Sequence, residues 1–367
     1  MNSQQTTVYV DAMGGDLAPK VNVKGAILAT EENPQIKIVL VGDESKIQPL
    51  LTKELKKSKS AIAKNISIYH TSQWIEMDDH PAHAVRQKKD ASINIAMRMA
   101  AKEPRSAFLS AGNSGAALAS AILHMKRIPG VDRPAIAAPL PTTRGFLLLL
   151  DAGANTQCKP LHLVQFALLG SEYFKNLFPG TTGTVGVLSN GSEDTKGTDL
   201  TRETNEILKK LQEQNVFPPD IYKGYVEGGR LFHGNVNVIV CDGFTGNLVL
   251  KSLEGLATAV VDMLKKEIKA DWLAAIGAVF AIRALKKLKS RTDYAEVGAA
   301  PLIGVNGHAF ISHGRSNPKA IKNGILRAAE SAKTDLTKIL CNAIANAQKI
   351  MDTREETKKE VYEKQNN

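Results

Sequence analysis

Apolar residues in this chain gather into short, nearly continuous runs. Eight of these read as strands: 7–11 (TVYVD), 36–43, 66–70, 106–112, 135–140, 146–153, 184–191 and 236–243. Unbroken apolar runs of this length suit strands covered on both faces, as in a mainly parallel sheet. Amphipathic segments lie between them, among them 92–101 (SINIAMRMAA) and 114–126 (SGAALASAILHMK). Strands alternating with helices predict a doubly wound α/β architecture. The expectation is a single α/β domain over 1–351. No internal repeat or low-complexity linker divides it, and the polar end, 352–367, is expected to fray.

The polar positions are most informative where strands end. Five runs finish in glycine-rich chain: DAMGGD (11–16), SAGNSGA (110–116), DAGAN (151–155), SNGSEDTKGT (189–198) and DGFTGN (242–247). Open α/β sheets bind ligands outside the carboxyl ends of their strands. Five such loops on one side of a sheet would form a basin of backbone N–H groups and small polar side chains. None is a nucleotide motif. The first strand is not followed by G-x-G-x-x-G, and GVLSNGSE (186–193) carries Ser-Glu where a P-loop needs Lys-Ser/Thr. A small anion without a nucleotide is the expected occupant.

Composition narrows the partners. The chain has 367 residues and a net charge of +10, which favours an anionic partner. Aromatic residues make up only 5%, so stacking platforms for nucleic acid are not expected. The three cysteines, Cys158, Cys241 and Cys341, form no C-x-x-C pair, which argues against a zinc site or disulfide framework. The first residues, MNSQQTTVYV, show no signal-peptide pattern.

Several residues carry candidate chemistry, each with a plainer alternative. Arg86, Lys88 and Lys89 precede the helix expected from residue 92. Helix N-termini favour anions, so these cations are either ligands of a shared anion or a solvated turn. Lys196 stands in a small-residue loop after a buried strand, where it could neutralise a phosphate or a developing oxyanion. Asn247 either caps a helix or orients an anion with its amide. His308 and His313 lack metal-ligand spacing and are either structural or a base. No G-x-S-x-G elbow occurs, which disfavours a serine hydrolase.

The segment 263–291 differs in character. Between Lys265 and Arg291 lie eight Lys or Arg and two Asp or Glu, most of the chain's net charge. Trp272, Ile276, Val279 and Phe280 share one helical face, and Gly277 is a candidate bend. Its longest aliphatic-aromatic run, 272–282, is too short to span a bilayer. A bulky apolar stripe with cationic flanks suits a helix lying in a membrane interface. The alternative is a core helix with basic ends.

In this order and spacing, the motifs DAMGGD, AVRQKKDAS, SAGNSGA, RPAIAAPLP, LLLLDAGAN, KGTDLT, DGFTGNLVLK and DYAEVGAAPLIGVNG resemble the PlsX family of bacterial phosphate acyltransferases, over roughly residues 7–350. The resemblance implies a three-layer α/β/α Rossmann-like fold and transfer of a fatty acyl group from acyl-(acyl carrier protein) to inorganic phosphate. The acyl phosphate would serve a downstream glycerol-3-phosphate acyltransferase in phospholipid synthesis. It further implies a cytoplasmic homodimer held peripherally at the anionic membrane surface by a helical hairpin near 255–292. Trp272, Leu273, Ile276, Val279 and Phe280 would meet the lipid. Lys196 matches the lysine of the family's KG loop and Asn247 the asparagine of its DGFTGN loop, and these two are the expected catalytic residues. The surrounding basin is expected to hold substrate and phosphate through Asp11, Gly14, Gly15, Asp16, Arg86, Lys88, Ser92, Asn113, Ser114, Gly115, Asp151, Asn155, Asp242, Thr245 and His313. No cofactor or metal is expected. Ala91 and Ala299 depart from the family's usual Ser and Gly, leaving Ser92 as the one hydroxyl of its pair. Two rivals stand beside this reading: a short-chain phosphotransacylase using coenzyme A, and a non-catalytic membrane scaffold.

Overall fold

The structure, a computed structural model, describes residues 5–56, 64–292 and 294–348. The 352–367 tail lies outside the described residues. Two sheets form instead of one. The first contains β1 (Thr6–Asp11), β2 (Ile36–Gly42), β3 (Ile66–His70), β4 (Ser106–Ser110) and β5 (Ala135–Ile136). The second contains β6 (Ala138–Thr142), β7 (Gly145–Leu150), β8 (Val185–Ser189), β9 (Tyr222–Glu227) and β10 (Val238–Val240). Two late strands, β11 (Ala300–Ile303) and β12 (Ala309–Ile311), return to the first sheet. The orders are β3-β2-β1-β4-β12-β11-β5 and β6-β7-β10-β8-β9. β11 runs antiparallel to both neighbours and β6 to β7, and the remaining pairs are parallel.

All eight expected strands form, with two changes. The run 135–140 breaks at Ala137, so one stretch of chain serves both sheets. β9, β11 and β12 were not expected, being short or weakly apolar.

The helices are α1 (Lys20–Glu32), α2 (Glu44–Leu55), α3 (Pro81–Gln87), α4 (Ser92–Lys102), α5 (Ser114–His124), α6 (Pro160–Leu177), α7 (Asp199–Glu213), α8 (Gly243–Ala270), α9 (Trp272–Thr292), α10 (Tyr294–Val297) and α11 (Pro318–Ser331). A last helical run covers 336–348. Strand alternation explains the layers. Val8 and Val10 pack among Val23, Ile27 and Ile321, under α1 and α11. Tyr9 turns the other way, toward Ile93, Met97 and Ala117 of α4 and α5. In the second sheet Leu148 and Leu150 face α6, while Leu147 and Leu149 face the opposite side, covered in part by Val249 and Leu253 of α8.

α8 starts on the second sheet and then leaves it. Its 28 residues make a rod of about 42 Å. Gly277 lies inside α9, and the bend falls instead at Asp271, whose carboxylate accepts the Leu273 N–H at 2.8 Å. Phe280 is 84% exposed and Trp272 71%. Among the described residues no helix is long and apolar enough to cross a membrane.

Candidate functional site

In the first sheet β1, β4 and β12 lie side by side, with Asp11 level with Ser110 and Ser110 level with Ile311. Their loops therefore leave one edge together. Asp11 is buried; its two oxygens accept the Ser92 hydroxyl at 2.6 Å and the Ser110 hydroxyl at 2.7 Å. Burial pushes the Asp11 carboxyl up, and these bonds, with the Met13 and Gly14 N–H groups, pull against that. The glycines of DAMGGD serve close packing. A Cβ on Gly14 would come within 2.5 Å of the Asp11 carboxylate and 2.8 Å of the Gly112 nitrogen. Gly15 takes φ +107°, and the Asp16 N–H donates to the Gly314 carbonyl at 2.9 Å. The Asp16 side chain is exposed.

The next loop is also tied inward. Asn113 caps α5, accepting the Ala116 N–H at 3.0 Å, and its amide donates to the Met77 and Asp79 carbonyls at 3.1 Å. Ser114 is exposed at the first helical position. Gly115 lets Pro81 approach, since a Cβ there would lie 2.7 Å from its ring. The short α3 changes the reading of the nearby cations. Arg86 is exposed in its last turn, where a cation suits the helix dipole. Lys88 pairs with Asp79 at 2.5 Å.

The second sheet repeats the device. β10 lies between β7 and β8, so the loops beginning at 151, 189 and 241 emerge as neighbours. Asp151 is fully buried and accepts five N–H bonds. One oxygen takes the backbone of Ile136, Gly153 and Ala154 at 3.0, 3.2 and 3.0 Å. The other takes the backbone and amide of Asn155 at 2.6 and 2.9 Å. Burial raises the Asp151 carboxyl, and these bonds oppose it. The Asn155 amide also holds the Pro134 carbonyl at 2.7 Å.

α8 begins on top of this loop. Asp242, not Asn247, is its cap, accepting the Thr245 N–H at 2.9 Å and hydroxyl at 2.7 Å. The Gly243 N–H meets the Asn155 carbonyl at 2.7 Å. Gly246 packs so closely that a Cβ would run into the Asp151 carbonyl oxygen. Asn247 comes next, exposed beside Gly153; a Cβ on Gly153 would sit 3.4 Å from that of Asn247. Lys196 is exposed in the adjoining loop, its stem against Gly191 and its N–H bonded to the Glu193 carbonyl at 3.0 Å. Neither the Asn247 amide nor the Lys196 ammonium has a hydrogen-bond partner among the described residues.

One cluster joins the two sheets. Asn247, Lys251 and Glu254 recur at helical spacing on one face of α8. The Lys251 ammonium lies 2.9 Å from both the His313 Nε2 and the Glu254 carboxylate, and His313 Nε2 lies 3.5 Å from the same carboxylate. The Arg315 N–H donates to His313 Nδ1 at 3.1 Å. The bond from His313 holds the Glu254 carboxyl down at about 2, against the effect of burial and with help from Lys251. His313 was expected at the site. Lys251 and Glu254 were not, although Lys251 ends the DGFTGNLVLK motif.

Two classes of group result. Asp11, Ser92, Asn113, Asp151, Asn155, Asp242 and Thr245 are engaged within the scaffold. Lys196 and Asn247, without a hydrogen-bond partner among the described residues, follow the adjacent strands β8 and β10. Nucleophilic catalysis by cysteine is disfavoured, because burial pushes the Cys158 thiol up to about 11 and raises Cys241 well above the usual range. Among the described residues no three His, Cys, Asp or Glu converge to hold a metal. A cation, an amide and backbone dipoles without a nucleophile can position an anion and stabilise a developing negative charge.

A family model described as "fatty acid synthesis protein" matches residues 6–339. The phosphate acyltransferase of Pelotomaculum thermopropionicum is 48% identical over 337 residues, covering 92% of this chain and 94% of its own. That of Geobacter sulfurreducens is 49% identical over 323 residues, covering 88% and 90%. Among solved structures, a phosphotransacetylase from Streptococcus pyogenes aligns with a TM-score of 0.59 at 15% identity, covering 90% of this chain and 95% of its own. This structural likeness concerns the fold, a three-layer α/β/α arrangement.

Proposed function

The chain belongs to the fatty acid synthesis protein family, that of the phosphate acyltransferases, and we propose that its acyl donor is a fatty acyl thioester on acyl carrier protein. The enzyme transfers an acyl group to phosphate in fatty acid and phospholipid synthesis. A phosphate oxygen attacks the thioester carbonyl carbon, a C–O bond forms, and the carbonyl oxygen becomes an oxyanion. Collapse breaks the C–S bond and releases the thiolate. Phosphate is already an anion near neutral pH, so it needs positioning more than activation.

Lys196 is assigned to charge stabilisation and Asn247 to orientation. The observation behind this is that neither side chain has a hydrogen-bond partner among the described residues, while the loops around them are tied by hydrogen bonds. Asp151 and Asn155 fix the loop on which α8 starts, and so fix Asn247. Asp11, Ser92 and Asn113 do the same for the loops of the first sheet. Lys251 and His313 border the same face of α8 and would meet the phosphate from the other side. The exposed apolar residues of α8 and α9, from Leu256 and Met263 to Trp272, Leu273, Ile276, Val279 and Phe280, suit a lipid surface, and the lysines and arginines between Lys265 and Arg291 suit its anionic charge. A homodimer and a downstream glycerol-3-phosphate acyltransferase that consumes the acyl phosphate complete the reading.

The test is to incubate the purified enzyme with palmitoyl-(acyl carrier protein) and phosphate, trapping acyl phosphate with hydroxylamine. Phosphate-dependent product should fall about a hundredfold or more in Lys196→Ala and in Asn247→Ala. Undiminished turnover in both variants would remove them from the site. Turnover with acyl-coenzyme A alone would replace the proposed donor.

A further inference from the structure

At the far end of the loop that follows β7, one concave surface is strongly basic. A cavity of about 430 Å³ is lined by Ile122, Arg127, Asp132, Arg133, Lys159 and His162. A second hollow, of about 390 Å³, shares Ile122 and Arg127 and adds Lys126. Together they make a trough with four cations, Lys126, Arg127, Arg133 and Lys159, against one acid, Asp132. All four cations are exposed. Ile122 and Leu123 at the end of α5 and Leu161 at the start of α6 add exposed apolar surface.

The trough is connected to the candidate site. Lys159 ends the loop that starts at Asp151 and carries Gly153 against Asn247. Arg133 adjoins Pro134, whose carbonyl is held by the Asn155 amide. The floor is fixed: Asp132 accepts Arg127 at its carbonyl and donates its N–H to Gln165 at 2.9 Å, and the Lys159 N–H donates to His162 at 3.1 Å.

We propose that this trough docks the acidic carrier protein that delivers the acyl thioester, an inference that rests on the donor proposed above. Charge complementarity selects the occupant. Cations spread along a concave surface match negative charge spread along a protein helix, and the few apolar residues give it a dry centre. The α8–α9 hairpin exposes far more apolar surface, which suits lipid better than an acidic protein.

Charge reversal tests the idea in the full-length enzyme. Arg133→Glu and Lys159→Glu would be made singly and together, with Lys37→Glu on the exposed part of β2 as control. Palmitoyl-(acyl carrier protein) turnover would be measured beside binding of fluorescently labelled carrier protein, with chain mass by light scattering. The double variant should raise KM and Kd for the carrier about tenfold, leaving kcat and the phosphate KM unchanged and flattening the salt dependence. The control should behave as wild type. Unchanged carrier KM and Kd in the double variant would overturn the proposal. A changed assembly mass would also overturn it, giving the trough to a second copy of the chain. Carrier binding that is lost in the variants, in an enzyme that never uses acyl carrier protein as donor, would sustain the docking surface and sink the donor reading.

Discussion

Replacing Asp151 with Asn removes charge while keeping shape, so it isolates what the buried carboxylate does. The amide oxygen can take the place of only one carboxylate oxygen. Its better place is the oxygen that accepts Ile136, Gly153 and Ala154. The NH₂ group then faces the backbone N–H and side-chain amide of Asn155, donors that now lie at 2.6 and 2.9 Å. Two bonds to a charged acceptor are lost, each worth about 1.5–3 kcal/mol. The relief of burying a neutral group offsets part of this, leaving a net loss of about 3 kcal/mol. That is a large share of the roughly 5–15 kcal/mol that holds a typical domain together. Urea unfolding should show a lower midpoint with an unchanged slope. Turnover should fall as well, because the Asn155 carbonyl holds the first residue of α8 and thereby sets Asn247. A stability loss below about 1 kcal/mol, or wild-type kcat, would refute the assignment of Asp151 as the anchor of this loop.

Three further outcomes are expected. Gly246→Ala should displace the start of α8, since its Cβ would overlap the Asp151 carbonyl; acyl phosphate formation should be lost and the melting temperature lowered, and a fully active variant would contradict the packing. Glu254 has its folded pKa lowered to about 2, so the stability it contributes is present above its ordinary value of 4.5 and is lost as pH falls toward 2. Urea midpoints of Glu254→Gln should accordingly change less than those of wild type as pH is lowered from about 6 to about 3.5, and identical profiles would dismiss the link to His313. Trp272→Asp with Phe280→Asp should abolish flotation with vesicles containing anionic phospholipid, whereas unchanged flotation would exclude α9 as the lipid-binding surface.

Much of the scaffold is readable along the chain because its signals are local. Val8-Tyr9-Val10 and Leu147 to Leu150 announce buried strands from a few adjacent letters. β12 is three residues long and its position beside β4 depends on a pairing across about two hundred residues, so no local pattern reveals it. α3 was hidden by its seven residues and its initial proline, and with it the favourable site of Arg86. The glycine loops were legible as a group, but their internal roles were not. Ser92 reads as a free hydroxyl until Asp11, 81 residues away, accepts it. Lys251 and Glu254 gain meaning only from His313, which the fold delivers from the far end of the chain.

The break at Ala137 has a consequence for synthesis. The second sheet is built wholly from residues 138–240, whereas the first needs β1 to β5 and then β11 and β12. A nascent chain can therefore finish the second sheet while the first still lacks two strands. β4 waits with an open edge until β12 leaves the ribosome, and β5 waits for β11. Exposed edges of this kind recruit other strands, and pairings this distant in sequence form slowly. The enzyme's vulnerable moment thus falls late in translation, and chains stalled before residue 300 should be the ones chaperones hold.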